Sequence, residues 1–112
     1  MNALTSDELM RAIETMEGWV LAVSELPGKE ARERRELKKV YCFASFEDAI
    51  DFMASAARHI SSVDHHPRWE NRFRTVTVWL STWSAGDKPS RLDIDLAQFM
   101  DGLYSSYEHP KK

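Results

Sequence analysis

At 112 residues and 13.0 kDa the chain allows one domain spanning 1–112, and 43% hydrophobic with 29% charged residues make it too apolar for disorder. Fifteen basic against eighteen acidic residues leave a net charge of -3, which offers no basic field for a nucleic-acid backbone. A single cysteine, Cys42, excludes a disulfide framework or a multi-cysteine metal knuckle and suits a reduced, cytoplasmic setting.

No apolar run approaches the ~18 residues of a membrane span. The opening Met1 to Glu8 has neither the basic start nor the apolar stretch of a signal peptide. The aromatics (4 Trp, 3 Tyr and 5 Phe) are generous for so small a core, which points some of them to an interface or a pocket.

Thr5-Ser6-Asp7-Glu8 reads as a capping box that starts a first helix. Leu9, Ala12, Ile13 and Met16 continue it as one apolar stripe, and Gly18 stops it. Trp19 to Val23 is then a short strand. Pro27-Gly28 signals a turn, and the mixed charges from Lys29 to Glu36 predict a solvated connection. Leu37 to Phe43 returns as a strand with Tyr41 and Phe43 on one face and Val40 and Cys42 on the other.

Ser45 with Asp48 opens a second helix, in which Phe46, Ala49, Ile50, Met53, Ala56, Ala57 and Ile60 predict a wide buried face. Pro67 requires that this helix be over by His66. Trp69 to Phe73 and Thr75 to Trp83 read as two strands. The second sets Val76, Val78 and Leu80 against a polar face that carries Trp79 and Trp83. Ser90 with Asp93 caps a third helix with Leu92, Leu96, Phe99, Met100 and Leu103 as its stripe, and the tail from Ser105 to Lys112 reads as frayed. The order is αββαββα. That is an α+β fold: a four-stranded antiparallel sheet with helices on one face, the other face left for solvent, ligand or a second subunit.

No nucleophile elbow and no Gly-rich phosphate loop occur. The concentrated signal is Asp64-His65-His66-Pro67, two adjacent imidazoles able to pass protons near neutral pH. A metal site would need further ligands, and only His59 lies nearby. A plain turn, with one His bonded to backbone and the other in solvent, satisfies the same residues. The third reading is acid–base catalysis on a flat ring bound beside Trp69 and Trp83. Composition and spacing leave all three open.

The segments His65-His66-Pro67-Arg68-Trp69-Glu70-Asn71-Arg72-Phe73, Val76 to Trp83 and Asp93 to Phe99 resemble the pterin-4a-carbinolamine dehydratase family. Leu4-Thr5 with Glu8, Gly18-Trp19, and Phe46 through Phe52-Met53 extend the resemblance over nearly the whole chain. It implies the αββαββα fold, dimers that join sheets edge to edge, and tetramers formed through helices. The implied activity is dehydration of 4a-hydroxytetrahydrobiopterin to quinonoid dihydropterin. The pterin is the substrate, and neither a cofactor nor a metal is implied. By resemblance His65 and His66 hold the catalytic histidine positions and Asp93 the acidic one. Asp64, Trp69, Trp83, Ser61 and Arg91 then fall at substrate-binding positions.

Three departures bear on that site. Trp83 stands where a third histidine is usual, and an indole offers only a donor. Ser61 stands where a glutamate is usual. Arg91 precedes Asp93 by two residues where the family's arginine precedes it by one. The resemblance therefore implies a second use as well: a dehydratase-like binding protein, such as a carboxysome-associated RuBisCO assembly factor or another dimerisation cofactor.

Overall fold

The structure is a computed structural model that describes residues 2–28 and 32–108. Helix α1 (Ser6–Thr15) leads into β1 (Val20–Leu26) and β2 (Arg32–Cys42). Helix α2 (Phe46–Val63) follows, then β3 (Arg68–Arg72), β4 (Thr75–Leu80), a short 3-10 turn at Trp83–Ala85 and α3 (Arg91–Tyr104). The four strands form one antiparallel sheet in the order β1-β2-β4-β3. The expected α+β fold and element order are those of the structure.

Each helix begins as its sequence dictates. Thr5 and Glu8 close a reciprocal capping box on α1, Ser45 accepts from the Asp48 N–H on α2, and Ser90 and Asp93 close a second box on α3. Helix α2 ends where Asp64 takes the left-handed conformation, with φ 51°, and sends its N–H back to Ile60 and Ser61. Pro67 then holds the chain extended into β3.

One face of the sheet packs on the helices. Leu37, Tyr41, Val76, Val78 and Leu80 are buried there against Phe52, Ala56, Leu96, Ala97 and Met100. Tyr41, Phe43, Phe52 and Tyr104 pack in tilted and edge-on pairs at 4.8–5.1 Å between centroids, and each fully buried ring contributes about 2–3 kcal/mol. The Tyr41 hydroxyl reaches Asp101 at 2.7 Å, and Asp101 also receives Trp19 Nε1 and Lys39 Nζ. One carboxylate thus ties α3 to β2 and to the chain entering β1.

Four expectations change. Arg32–Glu36 is strand, not a loose connection: it pairs with β1 from Ala22 to Leu26, and of that connection residues 29–31 lie outside the described residues. Phe46, Ile50 and Ala57 are exposed, and Phe52 takes the deep position on α2 instead. Strand β4 stops at Leu80, and β3 stops before Phe73, whose φ of 52° belongs to the tight turn joining the two strands. Tyr107, in the tail, packs on Phe43 and bonds Asp51, so the chain is anchored at least that far; residues 109–112 lie outside the described residues.

Burial and the Asp101 carboxylate push the Tyr41 phenol far above its ordinary value near 10. Folded Tyr41 therefore keeps its proton where the unfolded chain gives it up. Stability falls by about 1.4 kcal/mol per pH unit above pH ~10 from this group. Tyr41→Phe should cost about 1 kcal/mol at neutral pH for the lost hydrogen bond and show a shallower alkaline decline. Urea midpoints measured from pH 7 to 11 check this, and parallel curves for the two proteins would contradict it.

Candidate active site

The His-His-Pro segment lies in the loop between the left-handed Asp64 and the first residue of β3. It crosses beside the N-terminus of α3. His65 turns inward: its side chain is 12% exposed and its Nε2 lies 2.6 Å from Asp93 Oδ1. Asp93 is wholly buried, and its other oxygen accepts from the Ser90 N–H at 2.8 Å and the Thr82 hydroxyl at 2.7 Å. A carboxylate accepts, so His65 presents Nε2–H to it, and the neutral ring then carries its lone pair on Nδ1. This is the orienting arrangement by which a carboxylate fixes an imidazole's tautomer.

His66 turns the other way, as alternate residues of an extended chain do. Its side chain is 66% exposed, with Asp64 3.5 Å away. It lines a cleft of about 270 Å³ on the helix-free side of the sheet, together with Pro67 and Trp83. Trp83, in the 3-10 turn, is 84% exposed. Glu36, Arg68 and Trp79 come to the same cleft from three strands, and Arg34, Ser81 and Asp87 complete the lining. An exposed imidazole, an exposed indole and a carboxylate-fixed second imidazole one residue away suit proton transfer to a flat ring. Among the described residues no three His, Cys, Asp or Glu side chains group as a metal site.

Residues 2–103 match the family described as pterin 4 alpha carbinolamine dehydratase. This chain belongs to that family. A protein of Opitutus terrae named "Putative pterin-4-alpha-carbinolamine dehydratase" is 36% identical over 95 residues, which are 85% of this chain and 87% of that one. One of the same name from Rhodopseudomonas palustris is 43% identical over 83 residues, 73% and 81% of the two chains. A crystal structure of a transcriptional coactivator/pterin dehydratase from Brucella melitensis superposes with a TM-score of 0.76 at 32% identity. It covers 92% of this chain and 99% of that one.

The family's sequence positions divide unevenly in space. His66 and Trp83 line the cleft; His65 and Asp93 stand behind the loop, joined to each other. Trp69 does not line it. Its pairing with Val78 turns it to the helix side of the sheet, where it packs on the core. Ser61, on the last turn of α2, is exposed and also outside the lining. Arg91 is exposed and pairs with Asp95 at 3.0 Å, one turn along α3. Asp64 reaches the site only through its contact with His66. Glu36, Arg68 and Trp79 are cleft residues that the sequence did not single out. Alternation along β4 already set Trp79 on the helix-free face, but Glu36 needed the longer β2 to join it.

Exchange at Asp93 separates support of the fold from orientation of the imidazole. In Asp93→Asn one oxygen can still serve Ser90 and Thr82, but an N–H then faces His65, whose ring must accept and move its proton to Nδ1. The variant should fold within about 1–2 kcal/mol of wild type, while Asp93→Ala strands the buried donors and loses about 3 kcal/mol or more. Urea unfolding with nitrogen NMR of the imidazoles checks both. An unchanged His65 tautomer in Asp93→Asn would contradict this geometry.

Proposed function

We propose that the protein dehydrates a pterin 4a-carbinolamine, 4a-hydroxytetrahydrobiopterin or a close relative, to the quinonoid dihydropterin. The reaction breaks a ring N–H bond and the adjacent C–O bond, forms a C=N bond and releases water, so it needs no redox partner. It asks for a base at the ring nitrogen and an acid at the departing hydroxyl, and imidazole suits both roles. The observation that carries the reading is His66, exposed in a cleft beside Trp83 and joined through the backbone to a His65 fixed by a buried carboxylate. Membership of the dehydratase family supports it.

In this reading His66 exchanges protons with the bound ring, and His65 with Asp93 forms the second half of the acid–base pair. Trp83 supplies stacking area and no proton. The protein works without a metal or cofactor, in the cytoplasm, as a homodimer or a larger assembly. No helix of the described residues is long and apolar enough to cross a membrane. The exposed outer edges of β1 and β3 supply surfaces on which a second sheet can pair. Light scattering at micromolar concentration should return at least twice 13.0 kDa, and a clean monomer would remove the dimer.

Stopped-flow decay of the 4a-hydroxy adduct tests the chemistry. Wild type at micromolar concentration should accelerate it, and His66→Ala should remove ~100-fold or more of that acceleration. Trp83→His should raise the rate by adding a proton-exchanging group. If wild type leaves the uncatalysed rate untouched, and neither variant moves it, the binding-protein reading replaces this one.

A further inference from the structure

The helix-free face of the sheet carries a charged cluster that the proposed chemistry does not use. Glu36 is 3% exposed although it lies on the uncovered face of β2. It is buried by Arg68, which forks onto it: Nη2 donates to Oε1 at 2.8 Å and Nε to Oε2 at 3.3 Å. The same guanidinium lies 4.0 Å from the centre of the Trp79 ring, its direct cross-strand partner. Lys38, the partner of Trp79 on the other side, sits 5.5 Å from that ring.

Burying a carboxylate under an arginine is a poor route to stability, because apolar residues of like volume serve as well or better. What the pair does achieve is fixation. A long side chain with about 2 kcal/mol of rotamer entropy is held at its head by two bonds and a ring. The Arg68 side chain remains 51% exposed, and most of its N–H donors are unspent on Glu36. It lies in the same cleft as His66, two residues along the chain, and as the exposed indole of Trp83.

Resting on the proposed dehydratase reading, we infer that Arg68 binds the substrate ring: it donates to a carbonyl at the pyrimidinone edge while Trp83 covers a ring face. Glu36 is its positioning residue. A guanidinium already ordered in the free protein makes that contact without a fresh ordering cost. Arg68→Lys cannot replace it, since a point ammonium cannot hold Glu36 and the ring edge with one planar fork.

Calorimetric titration with 7,8-dihydrobiopterin, which lacks the 4a-hydroxyl and cannot be dehydrated, reads binding apart from turnover. Arg68→Met and Arg68→Lys should each lower affinity at least ten-fold. In stopped-flow the corresponding rise should fall on KM, with kcat changed less than three-fold. Glu36→Gln should weaken binding by a smaller factor and recover no affinity with Arg68→Lys added. Because Arg68→Met leaves a buried carboxylate alone, the pair Glu36→Met with Arg68→Met is the folding control. It should fold like wild type and still lose the ten-fold. Unchanged affinity in that folded double variant overturns the inference. If wild type binds the probe but accelerates nothing, the dehydratase reading fails alone, and the loss on Arg68→Met still supports the contact. If wild type does not bind it, the inference falls too.

Discussion

Asp93 presents a carboxylate that water never reaches, and its desolvation is tolerable only because donors from three separate segments converge on it. The Ser90 N–H comes from the start of α3, the Thr82 hydroxyl from the chain leaving β4, and the imidazole of His65 from the loop leaving α2. Once His65 is drawn inward by that bond, the extended backbone leading to Pro67 has one direction left for His66, into the cleft. The position of the exposed imidazole is thus set by a carboxylate it does not touch.

The two faces of the sheet solve different problems. Against the helices, aliphatic strands and a ring of four aromatics exclude water, and Asp101 gathers the polar ends of Trp19, Lys39 and Tyr41. Among the described residues no helix covers the opposite face. There Trp79 lies between cations from both neighbouring strands, and the aromatic surface is shielded by guanidinium and ammonium groups that stay wet at their outer sides. Such a face keeps an apolar ring soluble without closing it off.

Caps, breaks and the helix-side pattern were legible in the sequence because each depends on neighbours a few residues apart. Thr5 with Glu8, Ser45 and Ser90 with Asp93 each mark a helix start, and Pro67 marks the end of α2. Arg32 to Glu36 was not legible as strand. Where β1 and β2 run on together their side chains are largely solvated on both faces, Val23 included, so no alternation of apolar and polar residues records the strand. The site was readable in part. His65, His66 and Asp93 announce themselves through residue type and family resemblance, but which histidine faces the cleft depends on a bond across 28 positions. Trp69 looked like a cleft residue because it follows the loop, yet the register that pairs it with Val78 decides its face. Glu36, Arg68 and Trp79 belong to three strands and meet only once the sheet is formed.

Strand order β1-β2-β4-β3 gives the molecule a seam. Strands β1 and β2 pair as chain neighbours, as do β3 and β4, but β2 and β4 come together only across the whole of α2. The two hairpins can close at small entropic cost, while the seam closes the longest loop in the sheet and gives the least local return until it is complete. Glu36 and Trp79 stand on opposite sides of that seam, and Arg68 reaches across it to Glu36. The cleft therefore does not pre-exist in either hairpin. It exists only where the seam is closed, and a partial opening of the seam would erase it while leaving both hairpins paired.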